Sequence, residues 1–285
     1  MKIGMEYSPL SSGYRRYGEK RFEKIKEHGF SCLDYGMSTT MGLLYDPPVA
    51  EAEKILLEER RMIEAAGLEV FQVHGPWRWP PQDATEEDRA ERLEKMERSL
   101  WMTSVMGCKN WIIHPLMPHT TKDLDNGMAE ETWKINADFF PRVLEIAKSY
   151  DITICFENMP MLRFSIATPE DILRFVRFMN DDHFKVCLDT GHVNVFNHLS
   201  IGDSVRLLGK EIRTLHVHDN SRSIDLHQMP FFGTLNWKEL ADALHEIEYD
   251  GVFSLETAPP ARLPDPLHDE AGHFLFRVAN QIING

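Results

Sequence analysis

Basic residues are in short supply: 31 Lys and Arg stand against 45 Asp and Glu, a formal net charge of −14 at pH 7 with His neutral. That balance disfavours a nucleic acid held mainly through its polyanionic backbone, although a local basic patch would survive the average. Small neutral or mildly anionic substrates suit it better. Cysteine is scarce too. Cys32, Cys108, Cys155 and Cys187 lie far apart without C-x-x-C spacing, and Cys155 and Cys187 fall inside apolar strand runs, so all read as reduced core thiols. No apolar run approaches the ~20 residues that a membrane span needs. Lys2 to Glu6 reads as a strand instead of a charged-then-apolar leader. A soluble, cytoplasmic protein with no membrane partner is therefore expected. Low-complexity segments, linker composition and internal repeats are also missing. With 285 residues, 42% hydrophobic and 27% charged, the chain reads as one domain spanning 1–285.

What is present is alternation. Short apolar runs exchange with longer segments of helical period from end to end, the pattern of repeated βα units on a parallel sheet. Strands are expected near Lys2–Glu6, Cys32–Tyr35, Glu69–His74, Trp111–His114, Thr153–Glu157, Phe184–Asp189, Thr214–Val217 and Val252–Glu256. Helices are expected near Arg16–His28, Val49–Ala66, Glu86–Met106, Glu130–Tyr150, Pro169–Met179, Ile201–Leu208, Trp237–Ile247 and Pro266–Ile283. The second helix places Ala52, Ile55, Leu56, Met62, Ile63 and Ala66 on one face, with Gly67 available as a left-handed cap. The fifth announces itself with Thr168 as N-cap, Pro169 in the first position and Asp171 beside the free amides. Eight such units close a (β/α)₈ barrel, a single α/β fold. Pro and Gly gather after the strands, in Ser8–Gly13, Met37–Pro48, Gly75–Pro81, Pro115–Gly127 and Ala258–Pro266, where loops can form a wall or lid.

In such a barrel the carboxyl ends of all strands open on one face, so residues distant in sequence converge there. Glu157, Asp189, His216 and Glu256 each stand where a strand runs out. Three carboxylates and an imidazole suit one divalent cation, Mn²⁺, Mg²⁺, Co²⁺ or Zn²⁺, and their joint charge would repel itself without one. His74, His114 and His192 occupy similar positions, and Asp225 and His227 follow the seventh strand by a short loop. His28, His183, His198, His245, His268 and His273 read as surface or satisfied core residues.

The stretches Phe156-Glu157-Asn158, Leu188-Asp189-Thr190-Gly191-His192, His216-Val217-His218-Asp219-Asn220, Asp225-Leu226-His227 and Ser254-Leu255-Glu256-Thr257 resemble the signatures of the xylose isomerase-like TIM barrel superfamily. That superfamily includes sugar and sugar-phosphate isomerases and epimerases, inosose dehydratases and the endonuclease IV type of abasic-site nuclease. Carried over residue by residue, the ketose 3-epimerase pattern implies a metal held by Glu157, Asp189, His216 and Glu256. Glu157 and Glu256 double as the acid/base pair, and His192 and Arg222 match positions that contact substrate oxygens. The implied chemistry is proton transfer through an enediolate on a small sugar, polyol or inositol derivative, with a dehydratase as close neighbour.

The endonuclease IV pattern implies a different use of the same residues, a three-zinc site of His74, His114, Glu157, Asp189, His192, His216, Asp225, His227 and Glu256. In sugar isomerases many of these serve as substrate ligands. The surroundings depart from the nuclease: the segment after His227 is bulky and apolar, Gln228-Met229-Pro230-Phe231-Phe232-Gly233, and Gly75 to Pro81 carries Trp77 and Trp79 over the expected mouth. A catalytically silent sugar-binding barrel is the third reading. Arg15, Arg16, Arg78, Lys122, Arg163, Arg222 and Arg262 are the cations on that face; two converging would suit a sugar phosphate. Self-association into a homo-oligomer stays open.

Overall fold

A computed structural model describes every residue except 39–41, 78–82, 120–127, 162–165, 197–198 and 223. Arg78, Trp79, Lys122, Arg163 and His198 therefore lie outside the described residues. The apolar runs form parallel strands β1 (Lys2–Tyr7), β2 (Cys32–Gly36), β3 (Glu69–His74), β4 (Asn110–Ile113), β5 (Thr153–Glu157), β6 (Phe184–Asp189), β7 (Ile212–His216) and β8 (Val252–Leu255). Strands β1 to β6 each pair with the next in sequence, and β1 also pairs with β8. The ring closes where Val217 meets Leu255: Val217 N–H donates to Ser254 O at 2.9 Å, and Glu256 N–H donates to Val217 O at 3.0 Å.

Helices α1 (Arg21–Glu27), α2 (Val49–Ala65), α3 (Glu86–Val105), α4 (Met128–Ser149), α5 (Pro169–Met179), α6 (Thr190–Phe196), α7 (Ile201–Leu208), α8 (Trp237–Glu246) and α9 (Asp265–Asn284) lie between and after the strands. Local chemistry sets their ends. Thr168 Oγ1 accepts from Asp171 N–H while the Asp171 carboxylate answers Thr168 N–H, with Pro169 in the first turn. Gly67 takes φ +71° just past α2, the left-handed region glycine tolerates. Two departures from the sequence pattern are local. The expected first helix is broken by Gly18 at φ 55°, ψ −124°, so residues 13–20 coil as a 3₁₀ helix before α1 begins. Helix α6 starts at Thr190 with no loop after β6, which moves His192 from a strand end onto a first helical turn.

Large aromatic side chains fill the space outside the ring, among them Phe140, Phe156, Phe175 and Phe184, all fully buried. Inside it, Ile112, Cys155 and Cys187 make a thin apolar layer. All four cysteines are free and buried. Burial pushes the Cys108 and Cys155 thiols up to about 12, so neither is a nucleophile at neutral pH. Among the described residues no helix is long and apolar enough to cross a membrane.

Candidate active site

Every strand delivers an ionisable residue within its last three positions or one residue beyond: Glu6, Asp34, His74, His114, Glu157, Asp189, His216 and Glu256 from β1 to β8 in order. Register explains two of these placements. Between Leu33 and Asp34 the pairing with β3 slips by one residue, so that Asp34 stands opposite Gln72, and a bulge of this kind re-aims a side chain. A similar slip between Val186 and Cys187 precedes Asp189.

Ligand atoms of Glu157, Asp189, His216 and Glu256 all lie within 4.8 Å of one another. His216 holds the group together. Its Nδ1 is 2.8 Å from Glu157 Oε1 and 3.5 Å from Glu256 Oε2, and its Nε2 is 2.7 Å from Asp34 Oδ2. A carboxylate behind an imidazole fixes its tautomer and aims the other nitrogen, the usual support of a metal-ligating histidine. Asp34 supplies that support and is itself steadied by Gln72 Nε2 at 2.9 Å. Glu256 Oε2 is buried yet has no hydrogen-bond partner, although three imidazoles, those of His216, His218 and His227, stand 3.5–3.7 Å away. A buried charged oxygen left so would be costly. Together with the hard-to-borderline donor set, it fits a divalent cation among these four residues.

A second group of side chains flanks the first. His114 Nε2 lies 3.0 Å and His74 Nε2 3.7 Å from Glu157 Oε2. His74 Nδ1 donates to Gly75 O at 2.8 Å, leaving Nε2 as the acceptor. His192 Nδ1 donates to Asn158 O at 2.7 Å, which turns Nε2 toward Asp225 Oδ2 at 3.2 Å. His227 Nε2 reaches the same oxygen at 3.2 Å, and its ring stacks on His218 with centroids 4.2 Å apart. Trp77 stands edge-on to His114 at 4.7 Å and packs against Met117, Met159 and Ala167, forming one side of the mouth. Arg222 is exposed at φ +72° and lines a cavity with Asn194, Thr234 and Glu239. Arg16 is also occupied, bonded to the carbonyls of Leu263 and Ala261 and to Asp265 Oδ1.

Electrostatics reflect the crowding. Burial pushes the Glu157 carboxyl up, but the imidazoles of His216 and His114 outweigh it and hold it well below the usual range. Glu256 goes the other way. Burial raises it far above the usual range, and the cations of His216 and His227 do not compensate. For His216 burial is opposed chiefly by Cys187, Glu256, Glu157 and Asp34, and the imidazolium is strongly favoured. Burial also opposes charge on His192 and His227, yet Asp189 with Asp225, and Glu256 with Asp225, raise them to about 9 and about 11. Burial, then the charge of His114, lowers His74 to about 4. Without a cation, protons must take up part of the negative charge here.

Three further residues beside this group, Glu6, Asp34 and His218, were not singled out from the sequence. An acid inside an apolar strand marks Asp34, and alternation from His216 marks His218, whose Nε2 lies 3.1 Å from Asp189 Oδ2. Behind them Asp219 is a structural anchor. Fully buried, it accepts from the backbone of Asn220, Phe231 and Leu235 at 2.9, 3.1 and 3.1 Å and from Trp237 Nε1 at 3.2 Å. Asp219→Ala strands these donors and should lower stability by about 3 kcal/mol or more. Denaturant unfolding measures it.

Comparison with known proteins agrees with this architecture. The model of the xylose isomerase-like TIM barrel family matches residues 22–275. A D-psicose 3-epimerase of Ruminiclostridium cellulolyticum is 27% identical over 264 residues, 90% of this chain and 83% of that protein. An uncharacterized protein of Methanocaldococcus jannaschii is 29% identical over 242 residues, 82% of this chain and 77% of its own. The crystal structure of a D-tagatose 3-epimerase-like protein superposes with a TM-score of 0.76 at 26% identity, covering 100% of this chain and 98% of that one. On the family match, over an eight-stranded ring with the signature residues gathered at its mouth, the chain belongs to the xylose isomerase-like TIM barrel family.

Proposed function

We propose that this protein is a divalent-metal-dependent epimerase or isomerase of a small sugar, polyol or inositol derivative. The observation that carries the reading is the meeting of Glu157, Asp189, His216 and Glu256 within 4.8 Å. Relatives named as sugar 3-epimerases support the substrate class. Glu157, Asp189, His216 and Glu256 would hold the cation, which when bound supplies Lewis-acid stabilisation of negative charge on a substrate oxygen. Strands β5 and β8 stand three places apart around a ring of eight, so Glu157 and Glu256 approach from across the mouth. One carboxylate removes the proton from carbon beside the carbonyl and the other returns a proton, with an enediolate between. His114, His192 and His227 offer polar contacts for the hydroxyls, and Trp77 excludes water on one side. In D₂O, incubation with D-psicose and D-tagatose as first probes should place deuterium beside the carbonyl. Full retention of hydrogen during a confirmed isomerisation would replace proton transfer by a hydride shift.

A second reading, an abasic-site phosphodiesterase resembling endonuclease IV, draws on the further convergence of His74, His114, His192, Asp225 and His227. Its separate metal groupings are real geometric possibilities: His74, Glu157 and His216; and His218, Asp225 and His227. Three metals per chain, with cleavage of an abasic-site duplex, would establish it in place of the sugar reading.

A further inference from the structure

We propose that Glu6 is a specificity residue that binds a substrate hydroxyl and restricts this site to neutral, unphosphorylated polyhydroxy substrates. The inference rests on the sugar reading above and adds the substrate's charge class. Its basis is register. Glu6 pairs directly with Asp34 across the parallel β1–β2 ladder, and residues paired in this way point to the same face of a sheet. Asp34 reaches His216 Nε2 at 2.7 Å, so its face is the interior of the barrel, and Glu6 looks inward beside it. Within the same strand Met5 and Tyr7 face the opposite way and are fully packed into the outer core, at 0% and 1% exposure. Glu6 sits one residue from the end of β1, at the level where the other strands present their site residues.

Nothing in the fold uses this carboxyl. Among the described residues it has no hydrogen-bond or ion-pair partner, and it is only partly exposed. It feels the charges of Asp34, His227, His216 and His74, which places it over the same mouth, and burial pushes it above the usual carboxylate range. An inward carboxyl without a partner costs stability, and proteins retain such groups where a ligand uses them. A carboxyl accepts a hydroxyl hydrogen bond when ionised and can exchange hydrogen bonds with a hydroxyl when protonated. Toward a phosphate it offers repulsion in one state and no counter-charge in the other. Of the described cations expected on this face, Arg15 is bonded to Leu10 O and Arg16 to α9 and its preceding loop, while Arg222 and Arg262 are exposed.

Two variants of the full-length, metal-loaded protein test this, Glu6→Gln and Glu6→Leu. Isothermal titration with D-psicose, D-tagatose and myo-inositol, and with fructose 6-phosphate as anionic probe, gives affinity without relying on turnover. Wild type should bind at least one neutral probe and bind the phosphate at least tenfold more weakly. Glu6→Leu should lose about ten- to hundredfold in affinity for the neutral probe, seen in KM more than in kcat where turnover is measurable. Glu6→Gln should keep most of it. The melting temperature should hold or rise in both, because an unpaired inward carboxyl has been removed, whereas a structural role would lower it. Unchanged affinity in Glu6→Leu, a fall in its melting temperature, or tighter binding of the phosphate by wild type would each overturn the assignment while leaving the sugar reading intact. Failure of wild type to bind any neutral or phosphorylated probe would overturn both.

Discussion

Replacing Glu157 by Gln should lower kcat by about 10⁴-fold or more, because in the proposed mechanism one substitution removes a proton carrier and a ligand together. A positioned general base contributes roughly 10²–10⁴-fold, and the polarisation of the reacting oxygen adds several kcal/mol. The amide keeps the volume of the carboxylate, so packing against the buried Phe156 neighbourhood is preserved and any loss of stability should be that of the weakened cation. Glu256→Gln removes the carboxylate from the far side of the mouth. Its cost should also be large but unequal for the two epimers, since each carboxylate serves one face of the carbon. Measuring kcat/KM in both directions separates these effects from a general loss of metal. Equal, modest losses of under tenfold in both variants would remove Glu157 and Glu256 from the acid/base roles.

The signals that survive in a linear sequence are those tied to where a strand ends. Glu157 and Asp189 close apolar runs, and a barrel converts that placement into proximity without further information. Helix caps such as Thr168 and Gly67 are equally local and were readable from two or three residues. Register is not local. Asp34 enters the site because β2 slips by one residue against β3, and Glu6 because it pairs with Asp34, neither of which an individual strand reveals. Helix α6 hides for a different reason: seven residues are too few to show a period.

Stripping the divalent cation with a chelator should abolish turnover and lower the melting temperature by roughly 10 °C. A ligand at a thousand times its Kd stabilises the native state by about 4 kcal/mol, and each kcal/mol shifts a chain of this size by about 2–4 °C. The effect should depend on pH in a definite direction. His216 is held as the imidazolium and Glu256 as the neutral acid well above their ordinary ranges, so a cation must displace protons from both. Affinity therefore falls as pH falls, by about tenfold per pH unit for each proton displaced, and the cation-dependent stability shrinks across the neutral and acidic range instead of growing. Asp34→Asn should weaken the metal about 10- to 100-fold, because the imidazole loses the carboxylate that orients it. His227→Asn, by contrast, should leave one metal per chain, since His227 is bonded to Asp225 and lies outside the four-residue group. Elemental analysis of the two variants decides between one cation and several. Loss of a second or third ion in His227→Asn would move Asp225 and His227 from substrate contacts to ligands.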